Sequence, residues 1–508
     1  MAEGVDGGSY AQSGSFSYDH LPQDDPLVSG TEVGRVSSFD EEEYRMDLWG
    51  YPVRTRSDAC VSFINEFYRQ VLTYGAERQV ILKATDADGS CVLACALAAG
   101  HLLTQSDSKD LNPNMYLDAA KSNLDKATSY EKLVLAVISA WVQGQIGEVI
   151  DLHFQLLTQF PKDLASLKRG QTICFYMGRQ HDMLRLAELV LPANKESPFM
   201  YGMLAFALLE DGGRMREAEI AAKKALEIEP LDVWGQHALV HVLQHECRFK
   251  EALTFAASCG NTWTSCCSFM YTHSWWHLAL CELEQGGKDA LKRVVEVYDA
   301  HIWGSNAAAD NSQDCLNALG LLLRLDIRGH RDVVTTRLAD MQGCLLDELR
   351  WHTEWLQDLL IVWGLSRGGH KAEAQRLLQA LTHRVEGIEE KQRTPLQPVI
   401  SLAKALYEYG VRNFGAVCEL LDLDPSTSKY KVMGASDEQL DVFQELWCDA
   451  FLRAGQSLPV VKVAEQRVLE RSEIPFTWRV LAMAYADLGE EAKATSANAR
   501  YLKLEAAQ

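Results

Sequence analysis

The sequence predicts an all-α fold in which helical hairpins stack into a right-handed superhelix. Apolar residues recur three and four positions apart over most of the 508 residues, and alternating strand patterns are few. Short glycine-marked turns, such as EDGGR at 210–214 and EQGGK at 284–288, separate helices of about a dozen residues. Because a single core stops growing near ~250–300 residues, this length favours an elongated repeat array.

The N-terminal part of the chain differs from the rest. Residues 1–43 are polar and rich in glycine and serine, and they end in the acidic run FDEEEY. Such a segment cannot bury enough apolar surface to fold, so we predict a disordered arm. Residues 44–508 are predicted to form one continuous helical-repeat array.

Several segments match one hairpin template. In YGMLAFALLEDGGRMREAEIAAKKALEIEP (201–230), Ala218 and Ala225 provide small side chains at a helix crossing, and Pro230 ends the second helix. This unit resembles a tetratricopeptide repeat. WRVLAMAYADLGEEAKA (478–494) fits the same template. The clearest repeats are predicted at about 130–163, 199–232, 233–266, 271–304 and 475–508, and their stacking predicts a concave inner wall.

Composition narrows the classes of partner. The chain has 70 acidic residues and 49 Lys and Arg residues, so its formal net charge is −21. Because this charge repels a phosphate backbone, we expect no nucleic-acid partner. No apolar run reaches the ~18–20 residues that span a bilayer, so no membrane association is expected. Thirteen cysteines without a CxxC pair favour a reducing compartment, and the predicted location is cytoplasmic. The oligomeric state is left open.

Histidines are concentrated in one region of the predicted array. In WGQHALVHVLQHECRFKEAL (234–253), His237, His241 and His245 follow one another at spacings of four residues, and His273 and His277 repeat that spacing in YTHSWWHLAL. With Asp232 as N-cap, a helix from about Val233 to Cys247 would align the first three along one ridge. We expect this ridge to face the concave groove.

Three interpretations of these histidines remain open: a packed helix face, a pocket for a small ligand or peptide terminus, and a metal or catalytic centre. Two imidazoles at positions i and i+4 can share one metal ion, which makes His237, His241, His273 and His277 the candidate metal ligands. The HExxH pattern of zinc proteases is absent, because Glu246 follows the second histidine of HVLQHE and Gln244 occupies the place of a general base. No complete catalytic motif is present.

The segments DVWGQHALVH, THSWWHLAL, YDAHI, LLLRL and GASDEQLDVF, in that order, resemble the tetratricopeptide repeat protein 38 family. The resemblance covers roughly residues 55–460 and implies a helical-repeat fold with a shared inner site, without implying a reaction. This sequence departs from the family pattern near Gln244, where family members usually have a glutamate, and at His245, which is not a usual family residue. The matching positions are His237, His241, His273, Trp276, His277, Asp299, His301, Asp314, Arg324, Gly434, Ser436, Asp441 and Phe443.

These observations together predict a cytosolic tetratricopeptide repeat protein that binds a peptide or small ligand in a concave groove lined by histidines and aromatic residues. The alternative is an enzyme that uses the histidine cluster as metal ligands or as general acid and base. The first interpretation predicts no cofactor. The second predicts a divalent metal ion. The predicted ligand-binding residues are His237, His241, His273, Trp276, His277, His301 and Asp314.

Overall fold

A computed structural model describes residues 43–104, 112–304 and 312–507. This part of the chain is almost entirely helical, with one short antiparallel hairpin of β1 (Tyr44–Met46) and β2 (Pro52–Arg54) before the first helix. The all-α superhelix predicted from the sequence is therefore confirmed. The hairpin was not predicted, since the helical array was expected to begin at residue 44. The predicted arm, residues 1–43, lies outside the described residues except for residue 43.

Within the described ranges there are 26 α-helices. Those of the N-terminal half are α1 (Asp58–Leu72), α2 (Val80–Ala87), α3 (Val92–Leu103), α4 (Pro113–Ser122), α5 (Ser129–Val142), α6 (Ile146–Gln159), α7 (Leu164–Tyr176), α8 (Gln180–Val190), α9 (Met200–Glu210), α10 (Met215–Ile228), α11 (Val233–His245), α12 (Phe249–Trp263) and α13 (Ser268–Gln285).

The helices of the C-terminal half are α14 (Ala290–Val297), α15 (Ser312–Ile327), α16 (Arg331–Asp340), α17 (Gln342–Leu346), α18 (Trp355–Arg367), α19 (Lys371–Glu386), α20 (Glu390–Arg393), α21 (Gln397–Gly410), α22 (Phe414–Leu421), α23 (Asp437–Arg453), α24 (Ser457–Glu470), α25 (Pro475–Asp487) and α26 (Glu491–Ala506). A π-helical turn, Tyr298–Ile302, follows α14, and a 3-10 segment, Ser428–Met433, precedes α23.

Inner and outer helices of the hairpins differ in the width of their apolar face. Every residue of α11 from Val233 to Gln244 is buried, because this helix has neighbours on all sides. Its outer neighbour α10 buries only a narrow stripe of four alanines, Ala218, Ala221, Ala222 and Ala225, and presents its charged residues to solvent. Inner helices therefore carry the side chains that can meet inside the superhelix.

The start of α11 shows how local sequence sets this arrangement. Asp232 is its N-cap, as predicted, and its carboxylate accepts a hydrogen bond from the Trp234 backbone N–H at 3.0 Å. The helix ends at His245, two residues before the predicted end at Cys247. Because this cap fixes the residue at which the helix begins, it also fixes the helix face on which His237 and His241 lie.

The C-terminal helices of the array pack against helices in its middle. Helices α23 and α25 pack against α15 and α13 respectively. Arg328, directly after α15, forms an ion pair with Glu445 of α23 at 2.6 Å, and Arg471, directly after α24, forms one with Glu284 of α13, also at 2.6 Å. The later helices therefore cover the inner surface that an open array of this kind would leave exposed. None of the described helices combines the length and the apolarity needed to cross a lipid bilayer.

Two glycines allow α9 and α11 to cross closely. A Cβ atom added at Gly202 would lie 2.8 Å from the Gly235 backbone nitrogen, a distance at which backbone must move. We therefore expect Gly202→Ala to lower the free energy of unfolding by about 1–3 kcal/mol, measured by urea denaturation.

The matched control for this substitution is Gly147→Ala in α6, where an added Cβ meets no atom within 4 Å. Here the change should raise the free energy of unfolding by at most about 1 kcal/mol, because alanine is the better helix former. Equal effects at the two positions would contradict the close crossing.

Candidate metal centre

Four histidines from two inner helices meet in the interior. His237 and His241 of α11 have their Nε2 atoms 2.9 Å apart, and His273 and His277 of α13 have theirs 3.3 Å apart. One ring nitrogen of each histidine lies within 4.8 Å of one from every other. The spacing of four residues puts each pair on one helix face, and the packing of α13 on α11 brings the two pairs together.

The outward nitrogens of three of these rings have oxygen partners. His273 Nδ1 lies 3.0 Å from Asn317 Oδ1, and His277 Nδ1 lies 3.1 Å from Gln244 Oε1. His241 Nδ1 lies 2.7 Å from the Glu438 carboxylate, a close ion-pair contact without the alignment of a hydrogen bond. The amide oxygens place the protons of the His273 and His277 rings on Nδ1, and the negative charge of Glu438 favours a proton on His241 Nδ1.

The Asn317 amide is itself held in one orientation. Its Nδ2 donates to Thr272 Oγ1 at 3.0 Å, and the Thr272 hydroxyl donates to Asp314 Oδ1 at 2.9 Å. Because Asn317 Nδ2 faces the hydroxyl, its Oδ1 faces His273. Asp314 thus supports the His273 ring through two intervening side chains.

Protons on the outer nitrogens leave the Nε2 lone pairs directed inward. Three rings, those of His241, His273 and His277, are oriented in this way, and the His273 and His277 Nε2 atoms face each other at 3.3 Å. Two lone pairs at that separation repel unless a cation or a proton lies between them. The arrangement therefore has the donor set and the outer hydrogen bonds of a histidine metal site.

Burial and charge set the protonation of the four rings. Burial lowers the pKa of His273 to about 4 and those of His237 and His277 well below the usual value, so these rings are neutral at pH 7. Burial also acts to lower the pKa of His241, but the Glu438 carboxylate outweighs it and raises that pKa. Burial acts to raise the pKa of Glu438, and His241 nevertheless lowers it to about 2. The cluster thus pairs the Glu438 carboxylate with His241, whose charged form it favours, beside three neutral imidazoles.

Aromatic rings surround the cluster. Trp234 stacks on His237 with ring centroids 4.6 Å apart, and Phe269 and Trp276 stack on His273 at 5.2 and 5.3 Å. Apolar walls of this kind exclude water and strengthen electrostatic interactions inside them. His241 and His277 are 0% and 1% exposed, respectively.

The structure brings together only part of the predicted site. His237, His241, His273 and His277 face one another, and Trp276 borders them. His301 lies apart in the π-helical turn, where it stacks on Trp275 at 3.7 Å and contacts the Tyr271 hydroxyl at 2.7 Å. Asp314 contacts Ser268 and Thr272 and reaches the cluster only through Asn317.

Two expectations about the geometry were wrong. His245 does not continue the ridge inward, because it is the last residue of α11 and its side chain is exposed. The other histidines do not line an open groove, since α23 returns over them and places Glu438 against His241. The physical reason is the closure of the array, which the repeat pattern alone does not contain.

Sequence reasoning missed the residues that orient the rings. Gln244 was noted only as a departure from a family pattern, and Asn317 was not singled out. Glu438 supplies the carboxylate that seemed to be missing near Gln244, but from a helix far along the chain. Glu210 lies close enough to His241 and Glu438 to share a cation with them, and it forms an ion pair with Lys431 at 2.7 Å. A polar residue within a buried inner helix was the available signal for Gln244 and Asn317.

No known family model matches the chain. Among solved structures, the human IFIT1 dimer with m7Gppp-AAAA is similar at 12% identity, covering 86% of this chain and 94% of that chain with a TM-score of 0.41. The TPR domain of P58(IPK) is similar at 14% identity, covering 74% of this chain and 93% of that chain with a TM-score of 0.20. Likenesses this distant do not bear on the site.

Proposed function

We propose that the protein binds one divalent transition-metal ion through His237, His241, His273 and His277. The observation that carries this proposal is the orientation of the rings: outer oxygen atoms turn the Nε2 atoms of three rings inward, and one nitrogen of each of the four histidines lies within 4.8 Å of one from every other. A histidine-only donor set suits zinc, copper, iron or nickel and disfavours magnesium and calcium. Where the sequence favoured a protein without a cofactor, the geometry supports the metal alternative.

The spacing of the donor atoms supports zinc in particular. Zinc bound by imidazoles at about 2.0–2.1 Å in tetrahedral geometry separates its ligand nitrogens by about 3.3 Å. The two Nε2 pairs, at 2.9 and 3.3 Å, are close to that separation. The donor nitrogens of the other pairs lie within 4.8 Å of one another.

A structural role fits the site better than a catalytic one. Catalytic zinc sites hold three protein ligands and an open position, whereas structural sites are closed by four. All four histidines are buried, and Glu438 of α23 contacts one of them. We infer that the ion joins α11 to α13 and, through Glu438, to α23, so that metal binding stabilises the closed superhelix.

The first test is the metal content of the purified full-length protein. We expect about one zinc or other first-row transition-metal ion per chain by elemental analysis. Apoprotein titrated with Co²⁺ should develop the visible absorption of a tetrahedral site and saturate at one equivalent. His273→Gln should reduce both signals at least tenfold, because it removes one ligand and leaves a polar side chain in place.

The control variant is His245→Ala, which removes an exposed histidine from the same helix and should leave the metal content unchanged. Circular dichroism of both variants separates loss of metal from loss of fold. Wild-type protein that contains no metal after growth in zinc-supplemented medium, and that gives no Co²⁺ spectrum, would contradict the proposal.

We retain the finer sequence-based expectations as part of this proposal. All thirteen cysteines are free, which supports a reducing, cytosolic location. Membership of the tetratricopeptide repeat protein 38 family rests on the matching motifs. An enzymatic role for the cluster has less support than a structural one, because the closed set of ligands offers no position for a substrate.

Binding of a peptide or small ligand has support from one place beside the cluster. Lys168 of α7 is buried, and its Nζ lies 3.4 Å from the centroid of the Trp234 ring and 4.5 Å from that of Tyr74. Burial lowers its pKa well below the usual value, and Asp232 offsets this only in part. A ligand that reaches this amine would meet a hydrogen-bonding nitrogen between two aromatic rings, so we expect any such ligand to combine a hydrogen-bonding group with an apolar surface.

A further inference from the structure

Two cysteines outside the histidine cluster lie in direct contact. Cys315 of α15 and Cys344 of α17 have their sulfur atoms 2.9 Å apart, inside the van der Waals contact of two sulfurs. Both thiols are free and buried within the C-terminal half of the core. The packing of α15 and α17 therefore already holds the two sulfurs in near-bonding positions.

We propose that Cys315 and Cys344 are an oxidisable dithiol that forms a disulfide on exposure to a hydroperoxide. Disulfide formation needs two sulfurs brought close by the backbone, and this pair needs only a small further approach. The proposal does not depend on the metal centre, because neither cysteine contacts the histidines.

The two thiols differ in ways that assign their roles. Cys344 is 8% exposed, whereas Cys315 is fully buried. The hydrogen bond with Cys315 lowers the pKa of Cys344, and the nearby Arg350 charge acts in the same direction. Because the thiolate is the nucleophile, Cys344 is the attacking residue and Cys315 the resolving one.

The reaction takes place in two balanced steps. The Cys344 thiolate attacks one oxygen of hydrogen peroxide, the O–O bond breaks, and a sulfenic acid forms with release of hydroxide, which takes up a proton to become water. The Cys315 thiol then attacks the sulfenic sulfur, its proton leaves with the hydroxyl group as a second water, and the S–S bond forms. The two thiols lose two electrons in total, and these reduce the peroxide.

Cys60 and Cys91 provide a matched control within the same chain. These thiols also share a hydrogen bond, but both are 0% exposed, and that hydrogen bond together with burial raises the pKa of Cys91 well above its usual value. A hydrogen-bonded pair that is protonated and inaccessible should react slowly with peroxide.

The test treats the full-length protein with hydrogen peroxide, blocks the remaining thiols with an alkylating reagent, and maps disulfides by mass spectrometry without reduction. We expect the Cys315–Cys344 cross-link to form at least tenfold faster than any Cys60–Cys91 cross-link. Cys344→Ser should abolish the first cross-link. Cys315→Ser should instead leave a Cys344 sulfenic acid that dimedone traps.

Two results would overturn the proposal. One is that wild-type protein forms no Cys315–Cys344 cross-link while the half-buried thiols of Cys247, Cys266 and Cys267 become oxidised. The other is that the Cys60–Cys91 pair cross-links at the same rate, which would show that the exposure and the lowered pKa of Cys344 do not decide the outcome. Both readouts are independent of metal content, so failure of the proposed metal site would leave them unchanged.

Discussion

Removing the proposed metal ion with a chelator is expected to lower the free energy of unfolding by about 4 kcal/mol, relative to protein held at free metal a thousandfold above its dissociation constant. The effect arises because the four histidines come together only in the folded chain, so binding energy adds to folding energy. The measurement is urea denaturation of the loaded protein with and without EDTA, after equilibration long enough for a buried ion to exchange.

His273→Gln is the control for this chelator effect. The variant should already unfold at the lower urea concentration and should not respond to EDTA. If EDTA destabilised the variant as much as the wild-type protein, the chelator would be acting on a site other than the histidine cluster. If EDTA left wild-type protein unchanged although metal was released, the ion would have no structural role.

Replacing Glu445 with alanine is expected to lower the free energy of unfolding by about 3–5 kcal/mol. The Arg328 and Glu445 side chains are 5% and 4% exposed, and the guanidinium also donates to the Leu283 carbonyl at 2.9 Å. Removing the carboxylate leaves a buried positive charge without its partner. Because this pair joins the C-terminal end of α15 to α23, the substitution also weakens the closure of the superhelix.

An exposed ion pair of the same length is the control for this substitution. Arg376 and Glu348 also lie 2.6 Å apart, but their side chains are 59% and 58% exposed. Glu348→Ala should cost less than about 1 kcal/mol, since water screens the interaction and replaces the lost partner. Urea denaturation of both variants measures the difference, and a cost at Glu445 no larger than at Glu348 would contradict the structural importance of the closure.

The local sequence predicts the helices and the inward direction of four histidines well. Spacings of three and four residues reflect contacts within one helix or between neighbours, and Asp232 caps α11 where expected. The sequence does not predict how the far end of the array packs on its middle. That contact depends on side chains such as Glu438 and Glu445, whose partners lie far away in the chain.

The same distinction applies to the candidate site. The histidine pairs were predicted because each pair lies on one helix. The partners of the outer ring nitrogens were not predicted. Asn317 and Glu438 come from other helices, α15 and α23. Gln244 lies on α11 itself, but it reaches His277 only because α13 packs against α11. His301 was included because of its position in a motif, but the π-helical turn directs it toward Trp275 instead.

The covering of the histidines by α23 has a consequence for the order of events during synthesis. Glu438 leaves the ribosome roughly 10–30 s after His277 at ordinary rates of translation. During that interval the nascent chain already holds all four imidazoles but lacks the helix that shields them, so an ion can enter from solution. Once the C-terminal helices have docked, exchange of the proposed ion requires local opening of the protein, so we expect it to leave slowly.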